Sequence, residues 1–267
     1  MHMKNSYALI TGASSGIGLE IAKNLAKRGY NLILTARRTE MLDSLAMEIT
    51  SENDIHVDII SKDLSKYETP KEIFEFCESK NYQIDLLVNN AGYGIKTSFH
   101  ETSIEVEEDF IRVLGTSVIM LTKLFIPKML SNGGGKIMII SSVASFTPPS
   151  TIQVLYGPLK TFMNRFSDAL NVNYKHKGIS STAVCPGYVV TEFHSSSGVQ
   201  DAMDKVPAFM KLNAKDVAAE AVEATLNSKS YCVPSKRYKV LVFLIKYASF
   251  LMRLLSNSLS GGRYAKK

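Results

Sequence analysis

The chain has 267 residues, 45% of them hydrophobic, enough to bury a large core and to exclude a disordered polypeptide. Its formal charge of +6 conceals a division: from Lys229 onward there are nine Lys/Arg and no Asp/Glu, while residues 1–228 carry a net −3. The body therefore offers no general nucleic-acid surface, and three widely spaced cysteines (Cys77, Cys185, Cys232) form neither a disulfide framework nor a zinc motif.

No segment near the start reads as a signal peptide, because an apolar strand-like run, Tyr7-Ala8-Leu9-Ile10, begins almost at once. Further strands are expected at 31–36, 56–61, 84–89, 136–141, 180–185 and about 231–234. Several are near-continuous Val/Ile/Leu runs, the composition of strands buried on both faces. Between them lie helical patterns. Ile17, Ile21 and Leu25 recur every fourth residue, and similar stripes run over 39–53, 69–80, 103–130, 153–176 and 214–228. This alternation predicts an α/β fold: a single doubly wound, Rossmann-type parallel sheet of about seven strands covered by helices on both faces. Residues 1–235 are expected to form the dinucleotide-binding and catalytic domain. Residues 236–267 read as a basic amphipathic extension rather than a second domain.

The first strand runs into Thr11-Gly12-Ala13-Ser14-Ser15-Gly16-Ile17-Gly18, and a helix follows. Glycines here let the backbone turn tightly and approach a pyrophosphate, whose charge faces the unpaired N–H groups of the helix start. The bland alternative is a tight strand-to-helix connection. The second strand ends at Arg37-Arg38 with no acid at 36–38. An acid there would bind the ribose 2′-OH of NAD, whereas Arg suits the 2′-phosphate of NADP, unless both arginines are merely solvated.

Three further segments follow: Asn89-Asn90-Ala91-Gly92, then Ser141-Ser142, then Tyr156 and Lys160 four apart on a helix. With the Gly-rich turn and Cys185-Pro186-Gly187-Tyr188-Val189-Val190-Thr191, their order over residues 5–235 resembles the short-chain dehydrogenase/reductase family. The resemblance implies hydride transfer between NADP(H) and a carbonyl or secondary alcohol. It places Asn90, Ala91 and Gly92 at the adenosine side of the cofactor, Asp63 and Leu64 at the adenine, Pro186, Gly187, Val189 and Thr191 beside the nicotinamide, and Lys160 on its ribose. Asp63 reads equally well as a turn former. On chemical grounds Tyr156 is the general acid or base, Ser142 binds the substrate oxygen, and the Lys160 ammonium should lower the Tyr156 pKa toward neutrality. Alternatives are an ordinary helix-surface Tyr–Lys pair and, for Ser142, a strand-end residue beside Ser141. No metal site is expected.

Departures from the family pattern accompany these matches. Leu114 stands where the family has an Asn whose kinked helix positions a water, so a slower proton relay is expected. Fourteen positions separate Ser142 from Tyr156, about one more than usual, which predicts a longer loop, and Pro158-Leu159 interrupts the motif where small residues are common. Phe193, Met203, Val206, Phe209 and Met210 fall in the family's substrate lid and suit a hydrophobic substrate, or simply pack on the core. The tail stretch 240–255 places Lys246, Ser249 and Arg253 on one helical face of an otherwise apolar run. It suits peripheral contact with an anionic membrane, a subunit interface or a cover over the cleft. The leading reading is a cytoplasmic, homodimeric or homotetrameric NADP-dependent oxidoreductase. The rivals are a 3-oxoacyl-thioester reductase and an NADP-binding protein with little turnover.

Overall fold

The computed structural model describes residues 6–148, 154–191, 204 and 206–247. Six long strands form the centre: β1 (Ser6–Thr11), β2 (Asn31–Ala36), β3 (Val57–Ser61), β4 (Gln83–Asn89), β5 (Gly135–Ile140) and β6 (Ile179–Val184). Two short strands, β7 (Val189–Val190) and β8 (Leu212–Asn213), pair with each other, and β9 (Tyr231–Cys232) completes the main sheet. That sheet is parallel throughout, in the order β3-β2-β1-β4-β5-β6-β9. Every residue of β1 and β6 is buried, which explains why these strands read as continuous rather than alternating patterns.

Helices α1 (Gly16–Ala26), α2 (Thr39–Glu52) and α3 (Thr69–Ser79) follow the first three strands. They are joined by α4 (Ile104–Ile111), α5 (Ser117–Ser131), α6 (Tyr156–Tyr174), α7 (Ala214–Leu226) and a terminal helix, α8, over 236–247. One core cluster joins Ile21 and Leu25 of α1 to Val222 of α7 on one face of the sheet, and a second joins Phe110, Leu121 and Met163 on the other. The run Ile104–Ser131 is long and apolar enough to cross a membrane by composition, but more than half of its most apolar window is buried within this second cluster.

A π-helical turn, Arg112–Thr116, separates α4 from α5. The kink that accompanies the family's Asn is therefore present with Leu at position 114. Ser117 explains it: its N–H bonds five residues back to the Arg112 carbonyl, and its hydroxyl donates to the Val113 carbonyl at 2.9 Å. Leu114 is buried on the side facing Gly92 and contributes packing, not polarity. Pro158 falls in the first turn of α6, where a missing N–H costs nothing. The expected longer loop before α6 overlaps 149–153, outside the described residues.

The strand order reverses between β1 and β4, so the crevice of this sheet opens at their carboxyl ends. The opposite end is closed by a ring cluster: Tyr7 stacks on Tyr82 at 4.2 Å, His56 packs against both, and the Tyr82 hydroxyl donates to Asp58 at 2.7 Å.

Candidate active site

A single cleft of about 1670 Å³ runs along the carboxyl ends of the strands and brings together nearly all the residues singled out from the sequence. At its floor, Gly12 and Gly16 have φ of +65° and +59°, a backbone region that side chains disfavour. A Cβ on Gly12 would lie 2.8 Å from Ala91 Cα, and one on Gly18 would overlap the Gly12 carbonyl. The β1–α1 turn is thus packed against the end of β4 with no room for side chains. This leaves its N–H groups and the α1 N-terminus facing the cleft, a cradle that fits a nucleotide pyrophosphate.

One residue not anticipated from the sequence organises this turn. The Thr11 hydroxyl donates to the Val88 carbonyl at 3.2 Å and accepts from the N–H groups of Asn90 and Ala91 at 2.9 and 3.0 Å. In return the Asn90 amide donates to the carbonyls of Thr11 and Gly12. Asn90 therefore staples the turn as well as lining the cleft. Arg38 folds back from the end of β2 and donates to the hydroxyls of Ser14 and Ser15 at 3.2 and 3.0 Å. Arg37, Asp63 and Leu64 line the same end. Asp63 is also a turn former, since its carboxylate accepts from Ser65 N–H at 2.9 Å.

At the other end, Ser141 and Ser142 separate by role. The Ser141 hydroxyl is committed to the Lys160 carbonyl, whereas Ser142 Oγ accepts from Ala144 N–H at 3.1 Å and faces the cleft beside Tyr156. Ser142 is held from behind by a second unanticipated group. Asn164, one turn past Lys160, donates to Ser145 Oγ at 2.6 Å, and Ser145 donates to the Ser142 carbonyl at 2.5 Å. Nineteen positions separate Ser145 from Asn164, so no local motif announced them.

Lys160 is buried and donates to the Ile140 carbonyl at 2.8 Å, with its ammonium 5.6 Å from the Tyr156 ring centroid. Burial lowers the Lys160 pKa to about 8. The expected depression of Tyr156 is not found: burial raises its pKa, and the hydrogen bond with Ser142 offsets only part of the rise. The ammonium is directed at a carbonyl, and desolvation of the phenolate outweighs it. Pro186, Gly187, Val189 and Thr191 line the cleft opposite, and Thr191 abuts Gly16. Of the expected lid, Phe193 and Met203 lie outside the described residues; Phe209 is exposed and Met210 lines the cleft. All three cysteines are reduced and buried.

A buried ammonium costs stability only while it is charged. Lys160→Met should therefore be more stable than the wild type below about pH 8, and this advantage should fade as pH rises toward 10.5, where the lysine is neutral folded or unfolded. Denaturant melts of both proteins across that range check the sign; an advantage that grows with pH contradicts it.

The family model "short chain dehydrogenase" matches residues 6–202. The very-long-chain 3-oxoacyl-CoA reductase of Anas platyrhynchos is 33% identical over 98% of this chain and 83% of its own length. A short-chain dehydrogenase from Sphingobium yanoikuyae, solved with NADPH, superposes with a TM-score of 0.82 at 26% identity over 98% of each chain. The bulky-bulky ketone specific alcohol dehydrogenase of Comamonas testosteroni gives 0.78 at 25% identity over 100% of this chain and 98% of its own. With the glycine cradle, the paired Tyr156 and Lys160, and the parallel sheet that positions them, these matches make the chain a member of the short-chain dehydrogenase/reductase family, an oxidoreductase that works with a nicotinamide nucleotide.

Proposed function

We propose that this enzyme uses NADPH in preference to NADH to reduce an apolar ketone, a 3-oxoacyl thioester being the narrower candidate. The observation that carries the cofactor preference is Arg38, which meets Ser14 and Ser15 where a 2′-phosphate would be recognised and no acid competes for a ribose hydroxyl. The residues fit the cofactor: Gly12, Ser14, Ser15, Gly16 and Ile17 would hold its phosphates with Gly18 packed behind them, Asp63, Leu64, Asn90, Ala91 and Gly92 its adenosine half, and Pro186, Gly187, Val189, Thr191 and Lys160 its nicotinamide half. When bound it supplies the hydride.

The protein's own part is proton and charge management. Ser142 Oγ accepts from a backbone N–H and its hydroxyl meets that of Tyr156, so the two hydroxyls sit together where the substrate oxygen would bind. Tyr156, kept protonated by burial, donates its proton as negative charge develops on that oxygen. The Lys160 ammonium then stabilises the phenolate left behind. The kink at Leu114 is intact, which removes the main reason to read the chain as a protein without turnover. Val143, Val154, Met210 and Leu241 line the substrate end and favour an apolar substrate. This agrees with the acyl-CoA and bulky-ketone substrates named for the two relatives above. Residues 1–235 act as the catalytic domain and 236–267 as its extension, since Tyr238 and Leu241 join the same cleft.

Two wider readings rest on exposed apolar faces. Ile104 and Ile111 of α4, with Phe162 and Val172 of α6, are exposed and suit pairing of these helices across a two-fold axis into a dimer or tetramer. Sedimentation velocity should give more than a monomer; a monomer at micromolar concentration ends this reading. On α8, Val240, Phe243, Leu244 and Tyr247 form an exposed i, i+3, i+4, i+7 stripe, beside a segment with no acids. We assign this stripe to peripheral contact of a cytoplasmic enzyme with an anionic membrane. Ser249 and Arg253 lie outside the described residues. The protein should float with phosphatidylserine vesicles, and Phe243→Asp with Leu244→Asp should abolish flotation; flotation unchanged by the substitutions rules the stripe out.

Initial rates with NADPH and NADH against ketones and acyl thioesters test the enzymatic reading. Tyr156→Phe should lose at least about 100-fold in kcat. Arg38→Ala should cost about 10-fold or more in kcat/KM for NADPH and far less for NADH. Equal use of both cofactors by the wild type would refute the NADPH preference.

A further inference from the structure

The basic C-terminal segment has no role in the chemistry above, yet α8 reaches into the cleft. Its buried face carries Tyr238, which is 1% exposed, and Val242. The Tyr238 ring lies against Gly187 so closely that a Cβ there would overlap it. Its hydroxyl donates to the Met210 carbonyl at 2.8 Å and accepts from Tyr188 N–H at 3.1 Å. One side chain therefore ties α8 to the segment after β6 and to the segment before β8. Two turns later, the Lys246 ammonium sits 4.5 Å from the Phe146 ring centroid and 5.5 Å from that of Tyr231. Phe146 belongs to the turn that begins at Ser142. Between the two anchors, Leu241 faces the cleft.

We infer that α8 is a two-point clamp on the substrate end of the site: Tyr238 fixes the Gly187 side, Lys246 fixes the Ser142 side, and Leu241 is the specificity residue held between them. The class selected is an elongated apolar ketone or acyl chain, long enough to reach Leu241 from the oxygen bound at Ser142 and Tyr156. This rests on the ketone-reductase reading and adds which part of the chain sets substrate length. Tyr238 and Lys246 are positioning residues: they act through Gly187, Tyr188 and Phe146. Lys246, read from the sequence as part of a basic face suited to an anionic membrane, a subunit interface or a cover over the cleft, is here turned toward two aromatic rings.

The experiment measures kcat/KM for dodecanone and for butanone, with saturating NADPH, in the full-length wild type and in Tyr238→Phe, Lys246→Met, Lys246→Arg and Leu241→Ala. NADPH affinity and Tm are recorded alongside. Tyr238→Phe keeps the ring and loses both hydrogen bonds, so the dodecanone-to-butanone ratio should fall about 10-fold, carried mainly by KM for dodecanone. Lys246→Met should lower it about threefold and Lys246→Arg should restore it, because a guanidinium keeps the ring contact. Leu241→Ala removes the apolar contact at the far end of the chain and should lower the same ratio. Equal losses on both ketones, or a drop in Tm that accounts for them, would reduce the clamp to a structural contact and overturn the inference; so would an unchanged ratio in all four. If the wild type reduces neither ketone, the ketone reading has failed on its own. The clamp is then read from dodecanone affinity by calorimetry on the same variants, where no loss in Tyr238→Phe overturns it.

Discussion

The site depends on a threonine hydroxyl used three times. Thr11 sits at the last residue of β1, where the strand order reverses and a parallel sheet leaves a gap between the turns that follow β1 and β4. Without a tie, those turns would diverge and their N–H groups would be hydrated separately. By accepting from Asn90 and Ala91 and donating to Val88, Thr11 fixes one turn to the other, and the Asn90 amide returns two hydrogen bonds. The glycines are then required by contact as well as by turn geometry. A side chain on Gly12 or Gly18 would strike the neighbouring turn before it met any ligand. Buried polar groups tied together across the two turns stiffen the floor of the cleft.

At the other end the controlling quantity is desolvation. Burial acts in opposite directions on a lysine and a tyrosine, lowering one pKa and raising the other, so both drift toward their neutral forms. Proximity in the sequence cannot reveal this, because four residues on a helix say nothing about how much water reaches either group. The same reasoning accounts for Leu114. A side chain read as slowing the proton relay left the kink untouched, since the π turn is a backbone feature held by Ser117 three residues later.

Much of the fold was legible because it rests on local periodicity. The predicted strands fell within about two residues of the observed ones, and of the stripe read for the first helix Ile21 and Leu25 are buried while Ile17 is half-buried. Motif residues were legible because phosphate binding constrains adjacent positions along the chain. What stayed hidden were pairings across long sequence separations: Thr11 with Asn90, Ser145 with Asn164, and Tyr238 with Tyr188. Each joins side chains ordinary in their own neighbourhood. Arg38 is the intermediate case, identified by its place after β2 but fixed by hydroxyls more than twenty residues away.

The ring cluster of Tyr7, His56 and Tyr82 closes the end of the sheet remote from the cleft, while α8 lines the cleft with Tyr238 and Leu241. The two ends of the fold therefore differ in what they tolerate. A reporter or capture handle fused ahead of β1 joins the molecule on its chemically idle side. A handle joined directly after residue 247 would sit on the element that borders the substrate, so the point of attachment becomes part of any activity measurement.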